Sequence, residues 1–155
     1  MKKITPMKET TPMKKKQNKV VVAVLALWLV VMVSIVFYMT AKADYEDDLY
    51  ILSHVICGEA EGCSDDMKRS VGSVVLNRVE DDRFPDTIAE VVFQEGQYAC
   101  TWDGNYYREP SQDTIDIAKD LLENGSAIDS SVVWQAEFVQ GVGVYDQIGN
   151  MYFCY

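Results

Sequence analysis

With 155 residues, 24 acidic and 14 basic side chains and a formal net charge of −10, the chain has room for one domain. The charge is divided rather than spread: residues 1–43 hold eight lysines and one acid, while residues 44–155 hold six basic and 23 acidic side chains. So acidic a second part repels nucleic acid and anionic lipid, which argues against both as its partners.

Residues 1–19, "MKKITPMKETTPMKKKQNK", are lysine-rich and interrupted by Pro6 and Pro12, and predict a disordered cytoplasmic basic tail. The run "VVVAVLALWLVVMVSIVFYM", Val20 to Met39, carries no charge. At 1.5 Å per residue it reaches roughly 30 Å, the thickness of a bilayer's hydrocarbon core. The lysines before it place the N-terminus in the cytoplasm and the acidic part outside. "AKA" at Ala41 to Ala43 has the small-x-small form of a signal peptidase site. Residues 20–41 therefore read as a single-pass transmembrane helix or as an export signal whose cleavage would secrete the rest. Both readings leave residues 44–155 as one extracytoplasmic domain.

"DYEDDLYILSHVICGEAEG" opens that domain with an acidic first turn and Leu49, Leu52, Val55, Ile56 and Glu59 at helical spacing, predicting a helix over about 46–60. Gly62 stops it. Ser64 then caps a second helix, with Met67, Val71, Val74 and Val75 on one face, running to about Val79. Gly72 and Ser73 make that helix slim enough for close approach of another backbone. "DDRFPDTI" is a turn, and "TIAEVVF" a short helix ending near Gly96. "QYACTWDGNYYREP" has no periodicity and reads as a long loop. Ser111 caps a helix striped by Ile115, Ala118, Leu121 and Leu122 and closed by Asn124-Gly125. The β-branched and aromatic end, with a turn at Gly149-Asn150, predicts a small antiparallel sheet. The fold class is thus α+β, mostly helical.

The segment "ICGEAEGC" concentrates the candidate chemistry. Residues two apart on a helix point about 200° from one another, and Glu59 falls within about 60° of Leu52, Val55 and Ile56. A carboxyl on that apolar side loses hydration, which favours the protonated form a general acid needs. The plainer alternative is a helix-end carboxylate held by backbone or by an arginine such as Arg78. Glu61, facing away, reads as an ordinary solvated acid of the turn.

Four cysteines, Cys57, Cys63, Cys100 and Cys154, all fall in the outward part, where disulfides persist. Two bridges are predicted without a preferred connectivity, Cys57 and Cys63 bracketing the helix end; buried reduced thiols are the alternative. His54 is the single histidine, which argues against catalytic zinc, and a metal or other cofactor is not expected. His54 and Cys57 share a helical face, so a cysteine nucleophile and its base form a third possibility. Nucleotide-binding loops, a calcium loop and the G-x-S-x-G elbow are missing from the sequence.

"VICGEAEG", "VGSVVLNRVEDDRFPDTIAEVVFQEGQYAC" and "IGNMYFCY" together resemble the SleB/CwlJ-type cell wall hydrolases, over about residues 49–155. The specific portion is the ordered series G-E-A, V-x-L-N-R-V, F-P-x-T-I and Q-x-G-Q-aromatic. The resemblance implies a lysozyme-like domain that cuts peptidoglycan glycan strands between N-acetylmuramic acid and N-acetylglucosamine, as a lytic transglycosylase. Glu59 matches the family's G-E-A glutamate and would act as acid and then base. By motif position, Gln94, Gln97, Tyr98 and Tyr152 are expected to line the sugar groove. Glu61 and Cys63 depart from the family, which often has Arg and Glu or Gln there. That departure leaves room for a catalytically silent wall-binding or assembly module, beside the cysteine peptidase or amidase.

Overall fold

The computed structural model describes residues 13–155. The predicted basic tail lies outside them up to residue 12, and its last residues form the first turns of helix α1, Met13–Ala60. The chain divides into two compact units, Met1–Ala43 and Asp44–Tyr155.

In the first unit, the apolar stretch of α1 exposes its side chains throughout, Leu25, Trp28, Leu29 and Phe37 among them. It has the length and composition to cross a membrane.

The second unit begins on the same helix and continues through α2 (Asp65–Val79), α3 (Ile88–Val92), α4 (Cys100–Asp103), a 3₁₀ turn (Asn105–Tyr107) and α5 (Gln112–Asn124). Three strands follow: β1 (Trp134–Ala136), β2 (Val144–Ile148) and β3 (Met151–Cys154). They form one antiparallel sheet in the order β1-β3-β2. The expected mostly helical α+β fold with a small C-terminal sheet is what the chain adopts.

Local chemistry sets the helix starts. Ser64 Oγ accepts the Met67 amide, Thr87 Oγ1 that of Glu90, and Ser111 Oγ that of Thr114, each satisfying an orphan donor of a first turn. The core lies where the apolar stripes meet: Leu52, Val55 and Ile56 of α1 against Val71, Val74 and Val75 of α2, with Val91, Leu121 and Phe153 closing it. Each such side chain contributes roughly 1.5–3 kcal/mol by leaving water.

Gly72 faces side chains rather than a backbone. A Cβ there would lie 2.5 Å from Leu121 Cδ1 and 2.8 Å from Ile56 Cδ1. Ser73 accepts the Ala127 amide at 2.9 Å. The supposed loop after Gln97 holds two short helical turns, α4 and the 3₁₀ turn, fixed by burial of Cys100 and Tyr106.

The predicted disulfides are absent: all four cysteines are free. Cys57 is buried and its thiol points to the Arg108 carbonyl at 3.8 Å. Cys100 packs against Gly58, Cys154 pairs across the sheet with Trp134, and Cys63 is exposed. The tie expected of cysteine brackets is made instead by Glu61. Its Oε1 accepts the Ser111 amide at 3.1 Å and its Oε2 the Thr114 hydroxyl at 2.9 Å, fastening the end of α1 to the cap of α5. Burial works against the charge on Glu61, but these hydrogen bonds outweigh it and draw the carboxyl down to about 2. Glu61 is therefore a structural clamp and not an ordinary surface acid.

Candidate active site

Glu59 lies in the last turn of α1, half-buried. Its neighbour explains its setting. A Cβ on Gly58 would clash with Cys100 Cβ, so only glycine lets the start of α4 lie this close to α1. That approach brings the Cys100 amide to Glu59 Oε1, to which it donates at 3.1 Å. The backbone, and not Arg78, holds the carboxyl: among the described residues Glu59 forms no ion pair.

Glu59 opens onto a groove of about 380 Å³. Gly96, Gln97 and Trp102 share its lining on the helical side, and Gln135, Glu137 and Met151 on the sheet side. Trp102 is 60% exposed and offers an apolar ring face. Glu137 is exposed, and its Oε1 accepts from Asn150 Nδ2 at 2.7 Å. Gln135 lines the groove with its Oε1 buried and without a protein partner.

Of the residues expected in the sugar groove, the structure brings Gln97 to Glu59 and leaves three outside the lining. Tyr98 is 1% exposed, buried beside Arg78. Burial pushes its phenol up to about 12, although the Arg78 charge lowers it. Gln94 is half-buried, with Oε1 lacking a partner. Tyr152 alternates along β3 with the groove-lining Met151, so it projects from the other face of the sheet.

Gln135 and Glu137 escaped the sequence reading. Gln135 sits on the three-residue strand β1 and Glu137 just past its end, and the placement of that strand is set from a distance. Asn77 Nδ2 donates to the carbonyls of Asp129 and Val132 at 2.8 and 2.9 Å, and Arg78 Nε to that of Val133 at 2.8 Å. The Arg78 guanidinium lies over Phe84, Tyr98 and Trp134 at 5.1–5.8 Å from their centroids. The Asn-Arg pair of V-x-L-N-R-V and the Phe of F-P-x-T-I thus pin the segment entering β1.

The geometry gives no support to a cysteine nucleophile. Burial and the adjacent Glu61 carboxylate push the Cys57 thiol up to about 11, which keeps it protonated. His54 Nδ1 is engaged by the Tyr50 carbonyl at 2.8 Å, and its ring stacks on Tyr50. Among the described residues no cluster of His, Cys, Asp or Glu could hold a metal ion.

A family model described as cell wall hydrolase matches residues 62–154. Similar proteins include the spore cortex-lytic enzyme of Bacillus subtilis, 22% identical over 114 residues, covering 70% of this chain and 37% of that one. That of Halalkalibacterium halodurans is 31% identical over 81 residues, covering 52% and 24%. The chain thus spans at most about two fifths of the length of these curated relatives. Among solved structures, the catalytic domain of the Bacillus cereus SleB protein superposes with a TM-score of 0.63 at 20% identity, covering 71% of this chain and 91% of that one. The catalytic domain of a germination-specific lytic transglycosylase, SleB from Bacillus anthracis, gives 0.60 at 21% identity, covering 70% and 93%. At these identities the superpositions establish a shared fold.

Proposed function

Because the chain belongs to the cell wall hydrolase family, we propose that its outward domain cleaves peptidoglycan glycan strands between N-acetylmuramic acid and N-acetylglucosamine, as a lytic transglycosylase. The observation that carries this reading is Glu59 itself, a carboxyl at the edge of an open groove, aimed by the Cys100 amide.

In this mechanism the protonated Glu59 gives its proton to the glycosidic oxygen as the bond to the muramyl C1 breaks and positive charge develops there. The resulting carboxylate removes the proton from the muramyl C6 hydroxyl, whose oxygen closes on C1. A 1,6-anhydro end forms, Glu59 is protonated again, and water is not consumed. Gln97 and Gln135 supply polar contacts, and Trp102 a stacking face, for the flanking sugars. The apolar stretch of α1 anchors the domain at the membrane or directs its export.

Glu137 favours a second reading, since a carboxylate in the same groove could activate water and turn the reaction into hydrolysis. Products separate the two. Full chain in a non-ionic detergent is incubated with purified peptidoglycan, and the released muropeptides are weighed. Transglycosylation gives anhydromuramyl ends, one water lighter than the reducing ends of hydrolysis. Glu59→Gln should lower release on the order of 10²–10⁴-fold. Equal release by wild type and this variant would remove Glu59 from the mechanism, and binding to wall without release by either would make the domain a wall-binding module.

A further inference from the structure

A larger groove of about 850 Å³ lies on the second unit and shares no lining residue with the Glu59 groove. The first turns of α1 beyond Ala43, the end of α2, the start of α3 and the 3₁₀ turn converge on it. Its rim carries Asp44, Asp47, Asp48, Glu80 and Asp86, and its lining contains no lysine, arginine or histidine. Among the described residues, ion pairs engage other acids: Glu61, Asp81, Asp120 and Glu123. Between the rim acids the groove offers ring surface, with Tyr50, Phe93 and Tyr107 exposed to 53%, 52% and 76%.

Two features define an occupant. Asp44, Asp47 and Asp48 share one turn of α1, Glu80 follows α2 and Asp86 precedes α3, and together they form no cluster that could hold a metal ion, so they match several separate cationic groups rather than one ion. The aromatic and aliphatic floor calls for apolar side chains between those cations, since rings of this kind carry most of the binding at protein interfaces. Asp44 and Asp47 also crowd Asp48, whose carboxyl is raised first by burial and then by their charges. A cation seated there relieves that repulsion.

We propose that this groove is a docking site for a segment of another protein in which lysine or arginine alternates with apolar residues. The proposal is independent of the role of Glu59.

The test uses the full chain in non-ionic detergent and a synthetic peptide in which lysines alternate with leucine and phenylalanine, followed by calorimetry. Binding that weakens with added salt is expected, with the glutamate-for-lysine counterpart not binding. Asp47→Asn/Asp48→Asn and, separately, Tyr107→Ala should each weaken binding on the order of tenfold. Glu59→Gln should bind as wild type does. Asp113→Asn/Asp116→Asn, on the exposed side of α5, removes equal charge elsewhere and should change affinity less than twofold. Melting curves verify that each variant is folded. The proposal is overturned if the α5 pair weakens binding as much as the groove pair, which would reduce it to bulk attraction. It is equally overturned if the acidic peptide binds, or if the groove variants lose affinity for muropeptides instead, which would make the groove an extension of the substrate site.

Discussion

Glu61 shows how a side chain's surroundings set its chemistry. The carboxylate accepts from Ser111 and Thr114 in the folded chain and loses both partners on unfolding. Its pKa is about 2 when folded against an ordinary 4.5, so the unfolded state binds the proton more readily. The clamp is therefore fully present above pH 4.5, weakens below it and is lost by about pH 2. We expect Glu61→Gln to cost about 1–3 kcal/mol at pH 7 and to flatten the acid side of the stability profile between those limits, as read by thermal melts at a series of pH values. Gly58 acts by subtraction. Gly58→Ala forces Cys100 away and takes the amide from Glu59, so about 1–3 kcal/mol of stability should be lost together with activity. A thermal melt and a peptidoglycan release assay on the same preparation check both. A wheel drawn on α1 could assign neither role, because the partners lie 41 to 53 positions further along the chain.

The elements that could be read from the sequence are those whose signals are local. The α2 and α5 helices announce themselves through Ser64, Ser111 and their apolar stripes, and the β2–β3 hairpin through Gly149, which adopts a φ of 60°. One-turn elements have no such signal: α4 and the 3₁₀ turn exist because Cys100 and Tyr106 are buried by distant parts of the chain. The same holds for half of the candidate site. Glu59 and Gln97 stand in readable motifs, whereas Gln135 and Glu137 are brought in by the pairing of β1 with β3 and by the Asn77 and Arg78 tethers. Removing a tether should therefore act on the groove from outside it. Asn77→Ala leaves the buried Val132 carbonyl without its donor and unties Asp129, at about 1–3 kcal/mol, and frees the segment entering β1. The expected result is a melting temperature lowered by several degrees and slower muropeptide release. Hydrogen exchange should rise first at residues 129–136.

At the scale of the whole molecule, the two units make opposite demands on solvent. The Asp44–Tyr155 unit buries its own core, while the apolar stretch of α1 in the first unit buries none of its surface. Thirteen of the residues from Val20 to Met39 are Val, Leu, Ile or Phe, which together favour insertion into a bilayer by about 4–8 kcal/mol on a translocon scale. Two aspartates at its centre would oppose that by about 5–7 kcal/mol on the same scale, enough to cancel it. The expected outcome is that wild-type chain stays with the membrane after alkaline carbonate washing, whereas Leu29→Asp/Val30→Asp is left in the soluble fraction. Size decides between anchor and export signal, because a retained helix leaves a 17.5 kDa chain in the membrane and cleavage after Ala43 releases a shorter one. The lysines before the run predict an outward acidic unit, and on that expectation protease added outside intact cells should digest this unit and spare an epitope placed at the N-terminus. Digestion of that epitope instead would put the groove on the cytoplasmic side, away from the wall, and would count against the proposed substrate.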